Sequence, residues 1–128
     1  MTPEILIIDD NTNNILVLEQ LLRLEGIQPQ RLSSTNKLEV ALDQFNKIDV
    51  VFLDLEMPAL NGYQSLTVLR NHAVTEQSSI IAYSVHTGQI STAMERGFDG
   101  FLGKPLDADA FPQQLQKILR GEKVRYTP

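Results

Sequence analysis

The 128-residue chain contains no cysteine, which excludes a disulfide framework, thiolate zinc and a cysteine nucleophile. It has no apolar run near the ~18 residues that a membrane span requires. No basic patch precedes its first short apolar run, so no signal peptide is expected. Positive charge is in deficit: eleven basic against sixteen acidic residues leave a net charge of −5, the wrong sign for gripping a phosphate backbone. What is present is a globular composition, 42% hydrophobic and 21% charged, in a length that fits one domain of roughly 100–200 residues. A soluble, cytoplasmic protein is expected, with no direct contact to nucleic acid or membrane.

Two kinds of segment alternate along the chain. Short apolar runs end abruptly in polar residues: Ile5-Leu6-Ile7-Ile8 before Asp9-Asp10, Val50-Val51-Phe52-Leu53 before Asp54, Ile80-Ile81-Ala82-Tyr83 before Ser84, and Phe101-Leu102 before Gly103-Lys104-Pro105. Such runs, apolar on both faces, suit the buried strands of a parallel sheet. A weaker strand is expected near 28–33, where Pro29 marks an edge. Between the runs lie segments with helical spacing. Ile15, Leu18, Leu21 and Leu22 share one face of a helix ended by Gly26; Leu38, Ala41, Leu42 and Phe45 form a second, capped by Thr35 or Asn36. Tyr63, Leu66, Leu69 and Arg70 make a third, 90–96 a short fourth closing on Gly97. Phe111, Leu115, Ile118 and Leu119 make a fifth, with Asp107 as cap, Pro112 in its first turns and Gly121 at its end. This βαβ rhythm predicts an α/β fold, a doubly wound parallel sheet with about five helices over residues 1–121. Residues 122–128 read as a loose tail.

In an open parallel sheet, ligands bind beyond the carboxyl ends of the strands. Asp9, Asp10, Asp54, Ser84 and Lys104 all fall there. Singly, each has a plain structural reading as a helix cap, turn former or solvated charge. Asp54 resists it most, because it follows four apolar residues and is expected to be the innermost carboxylate. Two carboxylates ~4 Å apart repel by roughly 4 kcal/mol at an effective dielectric near 20, and one lysine cannot balance three of them. With no histidine or cysteine among them, these oxygen donors suit a hard divalent cation, and the cluster reads as a site for magnesium and a phosphoryl group.

With these residues assembled, the chain resembles the receiver domain of two-component response regulators over essentially its whole length. Asp9-Asp10 matches the acidic pair, Asp54 the phosphoacceptor, Ser84 the switch hydroxyl, and Lys104-Pro105 the Lys-Pro pair. Met57-Pro58 and Gly62 match the stretch after the acceptor. The resemblance implies a flavodoxin-like sheet of five strands in the order 2-1-3-4-5. It implies that a histidine kinase or histidine phosphotransfer protein supplies the phosphoryl group to Asp54. Mg2+ would be held by Asp10, Asp54 and the backbone carbonyl of Glu56, with Asp9 acting through water. Lys104 would neutralise the phosphoryl oxygens, and a cis Lys104–Pro105 bond would aim it. Ser84 would then bond the phosphoryl group and draw its loop inward, and Phe101, otherwise a core aromatic, would turn into the vacated space. That movement would change a face read by a downstream protein target. Met57 is expected to pack, and Gly62 to stand where a Cβ is obstructed.

Some positions depart from the common pattern. Val85 stands where a small residue usually lines access to the acceptor. Glu56 and His86, each two residues beyond a key position, either orient hydrolytic water, pair together to block it, or simply lie exposed at the rim. The 84–104 stretch is short, so the fourth helix is expected to be brief or irregular. The first and last helices and the loops near Asp54 are expected to select partners. The leading expectation is a single-domain signalling module, not an enzyme beyond autodephosphorylation, although a piece of a larger regulator or hybrid kinase would read alike. The alternatives are a small magnesium-dependent phosphohydrolase with Asp54 as nucleophile and Glu56 as acid/base, and a degenerate receiver that acts unphosphorylated.

Overall fold

The computed structural model describes residues 2–57 and 61–128; Met1 and Pro58 of the Met-Pro pair lie outside them. The chain alternates β1 (Ile5–Ile8), α1 (Thr12–Leu24), β2 (Gln30–Leu32), α2 (Leu38–Leu42), β3 (Val50–Asp54), α3 (Gly62–Asn71), β4 (Ser79–Ser84), α4 (Ile90–Arg96), β5 (Gly100–Gly103), α5 (Phe111–Leu119) and β6 (Val124–Tyr126). All pairings are parallel, in the order β2-β1-β3-β4-β5-β6. The expected 2-1-3-4-5 order is present, with one strand added at the end.

That addition corrects the expected tail. Residues 124–126 continue the sheet beside β5, in register Gly100↔Val124 and Leu102↔Tyr126, and Val124 is buried. The β-branched and aromatic alternation of Val124 and Tyr126 is a strand signal, too short to stand out without a neighbouring strand to pair with. The glycines of β5 admit it closely. A Cβ on Gly103 would lie 2.7 Å from Pro128 Cδ, 2.9 Å from Thr87 Cγ2 and 3.1 Å from the Tyr126 carbonyl oxygen.

Two helix starts also differ from expectation. Neither Thr35 nor Asn36 caps α2. The Asn36 N–H donates to Ser34 Oγ at 3.0 Å, so a serine turn replaces the capping geometry. The helix begins behind Lys37, whose φ is 53°. Asp107 caps a preceding turn instead, accepting from the Asp109 and Ala110 N–H groups at 2.9 and 3.4 Å, and α5 itself starts at Phe111 with Pro112 in its first turn. The ends of α1 and α4 fall at Gly26 and Gly97 as predicted. A 3₁₀ turn over Thr87–Gln89 leads into a seven-residue α4, as brief and irregular as expected.

Strand alternation builds two cores. Ile5, Ile7, Val50, Phe52, Ile81, Tyr83 and Leu102 pack with α1 and α5; Leu6, Ile8, Val51, Leu53, Ile80, Ala82 and Phe101 pack with α2, α3 and α4. Each fully buried large apolar side chain contributes about 1.5–3 kcal/mol relative to exposure. The same alternation sorts the residues that follow. Asp9, Asp54 and Lys104 come two positions after Ile7, Phe52 and Leu102, on the α1/α5 side. Ser84 comes two after Ala82, on the other.

Candidate functional site

Asp9, Asp10, Asp54, Ser84 and Lys104 meet at one end of the sheet, delivered by β1, β3, β4 and β5. Asp9, Asp10 and Asp54 each place a carboxylate oxygen within 4.8 Å of the others. The innermost carboxylate is Asp9 rather than Asp54, correcting the expectation: Asp9 is 0% exposed and Asp54 4%. The reason is Tyr83, which covers Asp9 from the next-but-one strand. Its phenol donates to Asp9 Oδ2 at 2.5 Å, while Asp9 Oδ1 accepts from the Asn11 N–H at 2.9 Å. Asp10 is exposed.

Lys104 sits between the acidic residues, its Nζ 3.7 Å from both Asp9 Oδ2 and Asp54 Oδ1. The ammonium also lies 4.4 Å above the centre of the Tyr83 ring, a cation–π geometry. The Lys104 N–H donates to the Ser84 carbonyl at 2.9 Å, and the Lys104–Pro105 bond is cis. Sequence reasoning treated Tyr83 as a strand residue only. The available signal was that a phenol buried in a strand must find a polar partner.

The electrostatics record the crowding. Burial, aided by the Glu56 carboxyl and Asp9, pushes the Asp54 carboxyl up from 3.8 to about 7, against the lowering effect of the Glu56 N–H and Lys104. Burial and the bond to Asp9 raise the Tyr83 phenol as well. Lys104 therefore leaves the cluster short of positive charge. Three oxygen donors, without nitrogen or sulfur, fit a small hard cation.

The Ser84 side is built differently. The Ser84 hydroxyl, fully buried, donates to Glu56 Oε1 at 2.6 Å and accepts from the His86 N–H at 2.9 Å. His86 Nε2 is 3.9 Å from the same Glu56 oxygen, with its side chain 61% exposed. Of the alternatives for Glu56 and His86, pairing is present only as a loose contact and His86 lies exposed at the rim. Val85 is exposed at the rim, whereas Phe101 is already fully buried in the α2–α4 core. Met57 is buried as predicted. Gly62 admits no side chain, since a Cβ there would lie 2.3 Å from Leu55 Cδ2 and 3.0 Å from Leu55 Cα.

The response regulator receiver domain family matches residues 5–116. The chain belongs to that family. The nitrate/nitrite response regulator NarL of Escherichia coli is 29% identical over 121 residues, covering 94% of this chain and 56% of NarL. The chain thus spans little more than half the length of that curated relative. Among solved structures, the chemotaxis response regulator CheY4 of Vibrio cholerae superposes with a TM-score of 0.81 at 20% identity, covering 93% of this chain and 100% of CheY4. The receiver domain of a Pseudomonas aeruginosa sensor histidine kinase gives 0.79 at 23% identity, covering 94% and 99%; that protein coordinates a magnesium ion in its active-site cleft. At these identities the two structures establish the fold. The chain is a receiver module with a phosphoacceptor signalling role. No helix among the described residues is long and apolar enough to cross a membrane.

Proposed function

We propose that Asp54 is the phosphoacceptor of this receiver, taking a phosphoryl group from a phosphohistidine on a histidine kinase or histidine phosphotransfer protein. The observation that carries the reading is the convergence of Asp9, Asp10 and Lys104 on Asp54 at the mouth of the sheet. An Asp54 carboxylate oxygen forms a bond to phosphorus as the phosphorus–nitrogen bond breaks, and the electron pair returns to the imidazole. Lys104, 3.7 Å from Asp54 Oδ1, is positioned to neutralise the phosphoryl oxygens.

Asp10, Asp54 and the Glu56 carbonyl would hold Mg2+, with Asp9 acting from behind. Asp9 suits an indirect role, because hydrogen bonds already engage both of its oxygens. When bound, the ion supplies charge neutralisation for the donor and acceptor oxygens. Tyr83 fixes the Asp9 carboxylate and lies beneath the Lys104 ammonium, so it positions both. Ser84 carries the switch toward a downstream protein target, with Phe101 already packed in the core beside it, and Val85 and His86, with Glu56, border the approach of water. The receiver unit is assigned to 1–121, with β6 as its C-terminal addition. A phosphohydrolase is not favoured: the receiver family spans residues 5–116, and the Glu56 carboxylate is engaged by Ser84.

Intact mass after incubation with acetyl phosphate and magnesium tests the assignment. One added phosphoryl group mapping to the peptide with Asp54, absent from Asp54→Asn, is expected. Label on another residue, or retained by that variant, would reassign the acceptor.

A further inference from the structure

The hydroxyl of Ser84 is already satisfied before any phosphoryl group arrives. A hydroxyl has one hydrogen to donate. Since Ser84 Oγ accepts from the His86 N–H at 2.9 Å, its hydrogen goes to Glu56 Oε1, at 2.6 Å. That length belongs to charge-assisted O–H···O⁻ bonds. The Glu56 backbone is tethered in turn to the acceptor, its N–H donating to Asp54 Oδ1 at 3.1 Å. Glu56 therefore bridges the end of β3, which carries Asp54, and the end of β4, which carries Ser84. Phe101, paired with Ala82 in the adjoining strands, is fully buried, so no outward aromatic waits to turn in.

We propose that the Glu56 carboxylate acts as a resident stand-in for the phosphoryl group, positioning the Ser84 hydroxyl and holding the 84–89 loop inward in the unmodified protein. Phosphorylation then exchanges one acceptor for another on Ser84. The displaced Glu56 side chain, 35% exposed, turns to solvent beside His86. The loop moves little, and what changes is the freedom of Glu56 at the rim. The exchange rests on Asp54 as the phosphoacceptor; the Glu56–Ser84 hold does not.

Amide hydrogen exchange over 85–89 in the unphosphorylated full chain tests the hold. Glu56→Ala should speed exchange there roughly ten-fold, the equivalent of about 1.4 kcal/mol. Glu56→Gln, which keeps an acceptor oxygen, should restore most of the protection. In a Ser84→Ala background Glu56→Ala should add nothing, since the hydrogen bond is already gone. Unchanged protection in Glu56→Ala, or an equal effect with and without the serine hydroxyl, would overturn the hold. With acetyl phosphate and magnesium, Glu56→Ala should regain wild-type protection as the phosphoryl group takes the vacant place; labelled protein that stays unprotected would overturn the exchange. Absence of label on wild type, with the loop effects intact, would instead remove the phosphoacceptor assignment.

Discussion

Asp9, Asp54, Tyr83 and Lys104 are held by one another, whereas Val85, His86 and Thr87, which follow the buried Ser84, are tied to the sheet by few bonds. The first group faces α1 and α5. Its members come from the ends of β1, β3 and β4 and from the turn after β5, and their bonds close on one another: phenol to carboxylate, ammonium between two carboxylates, ammonium over ring. The second group faces α3 and α4 and leads into a single 3₁₀ turn and a seven-residue helix. Val85 and His86 are exposed, and the main tie across to β3 is one bond, Ser84 to Glu56. A chemical site gains from preorganisation, since charges already aimed need no rearrangement during transfer. A switch gains from the opposite, a segment whose alternatives differ by few contacts. The chain places the two side by side by sending alternate residues of the same strands to opposite faces.

The largest test of this division is Lys104→Met. If the ionic group performs the chemistry, labelling by acetyl phosphate falls about 100-fold, as when one preorganised donor is removed from a catalytic site, while 84–89 exchange stays as in wild type. A small loss of labelling would mean that Lys104 only balances charge. Next is magnesium. At ~100 times its dissociation constant the ion should add about 2.7 kcal/mol of stability, close to 10 °C in melting temperature, read by a thermal melt across a titration. Asp54→Asn should lose most of that gain, and Ser84→Ala should keep it.

Tyr83→Phe comes third. It strips one donor from the buried Asp9 carboxylate, which should lower chemical-denaturation stability by about 1–3 kcal/mol. Stability unchanged in this variant would mean that Lys104 alone satisfies Asp9. Last comes a pH slope in metal-free protein, small within any one pH unit. The Asp54 carboxyl titrates near 7 when folded against 3.8 ordinarily. Between those values the folded chain keeps a proton that the unfolded chain has lost. Stability should therefore fall as pH rises through that window, by at most ~1.4 kcal/mol per pH unit for one proton. It levels off above the folded value, where both forms are ionised. Asp54→Asn should flatten the slope, and a slope of opposite sign would contradict the burial of Asp54.

Much of the ionic group was legible in the residue order, because each member directly follows an apolar run and strand ends share one rim in a parallel sheet. Tyr83 was not legible, since the run that contains it also explains it as core. Its role appears only when β3 pairs with both β1 and β4 and so brings Asp9 under the phenol. The Ser84 side was legible by resemblance alone. Nothing in the spacing of Glu56, Ser84 and His86 tells which of them pair, because Glu56 and His86 lie in loops with no alternation to constrain them.

The amino-acid order by itself determined the alternation of strands and helices, the rim on which the charges gather and the oxygen-only character of their donors, because these follow from local periodicity and from side-chain chemistry. Tertiary structure alone decided that Asp9 rather than Asp54 lies deepest, that Ser84 bonds Glu56, and that residues 124–126 form a sixth strand. Each of these depends on which distant segments become neighbours: a short strand such as β6 has no ladder bonds of its own, and a buried hydroxyl takes whichever acceptor the packing brings within reach.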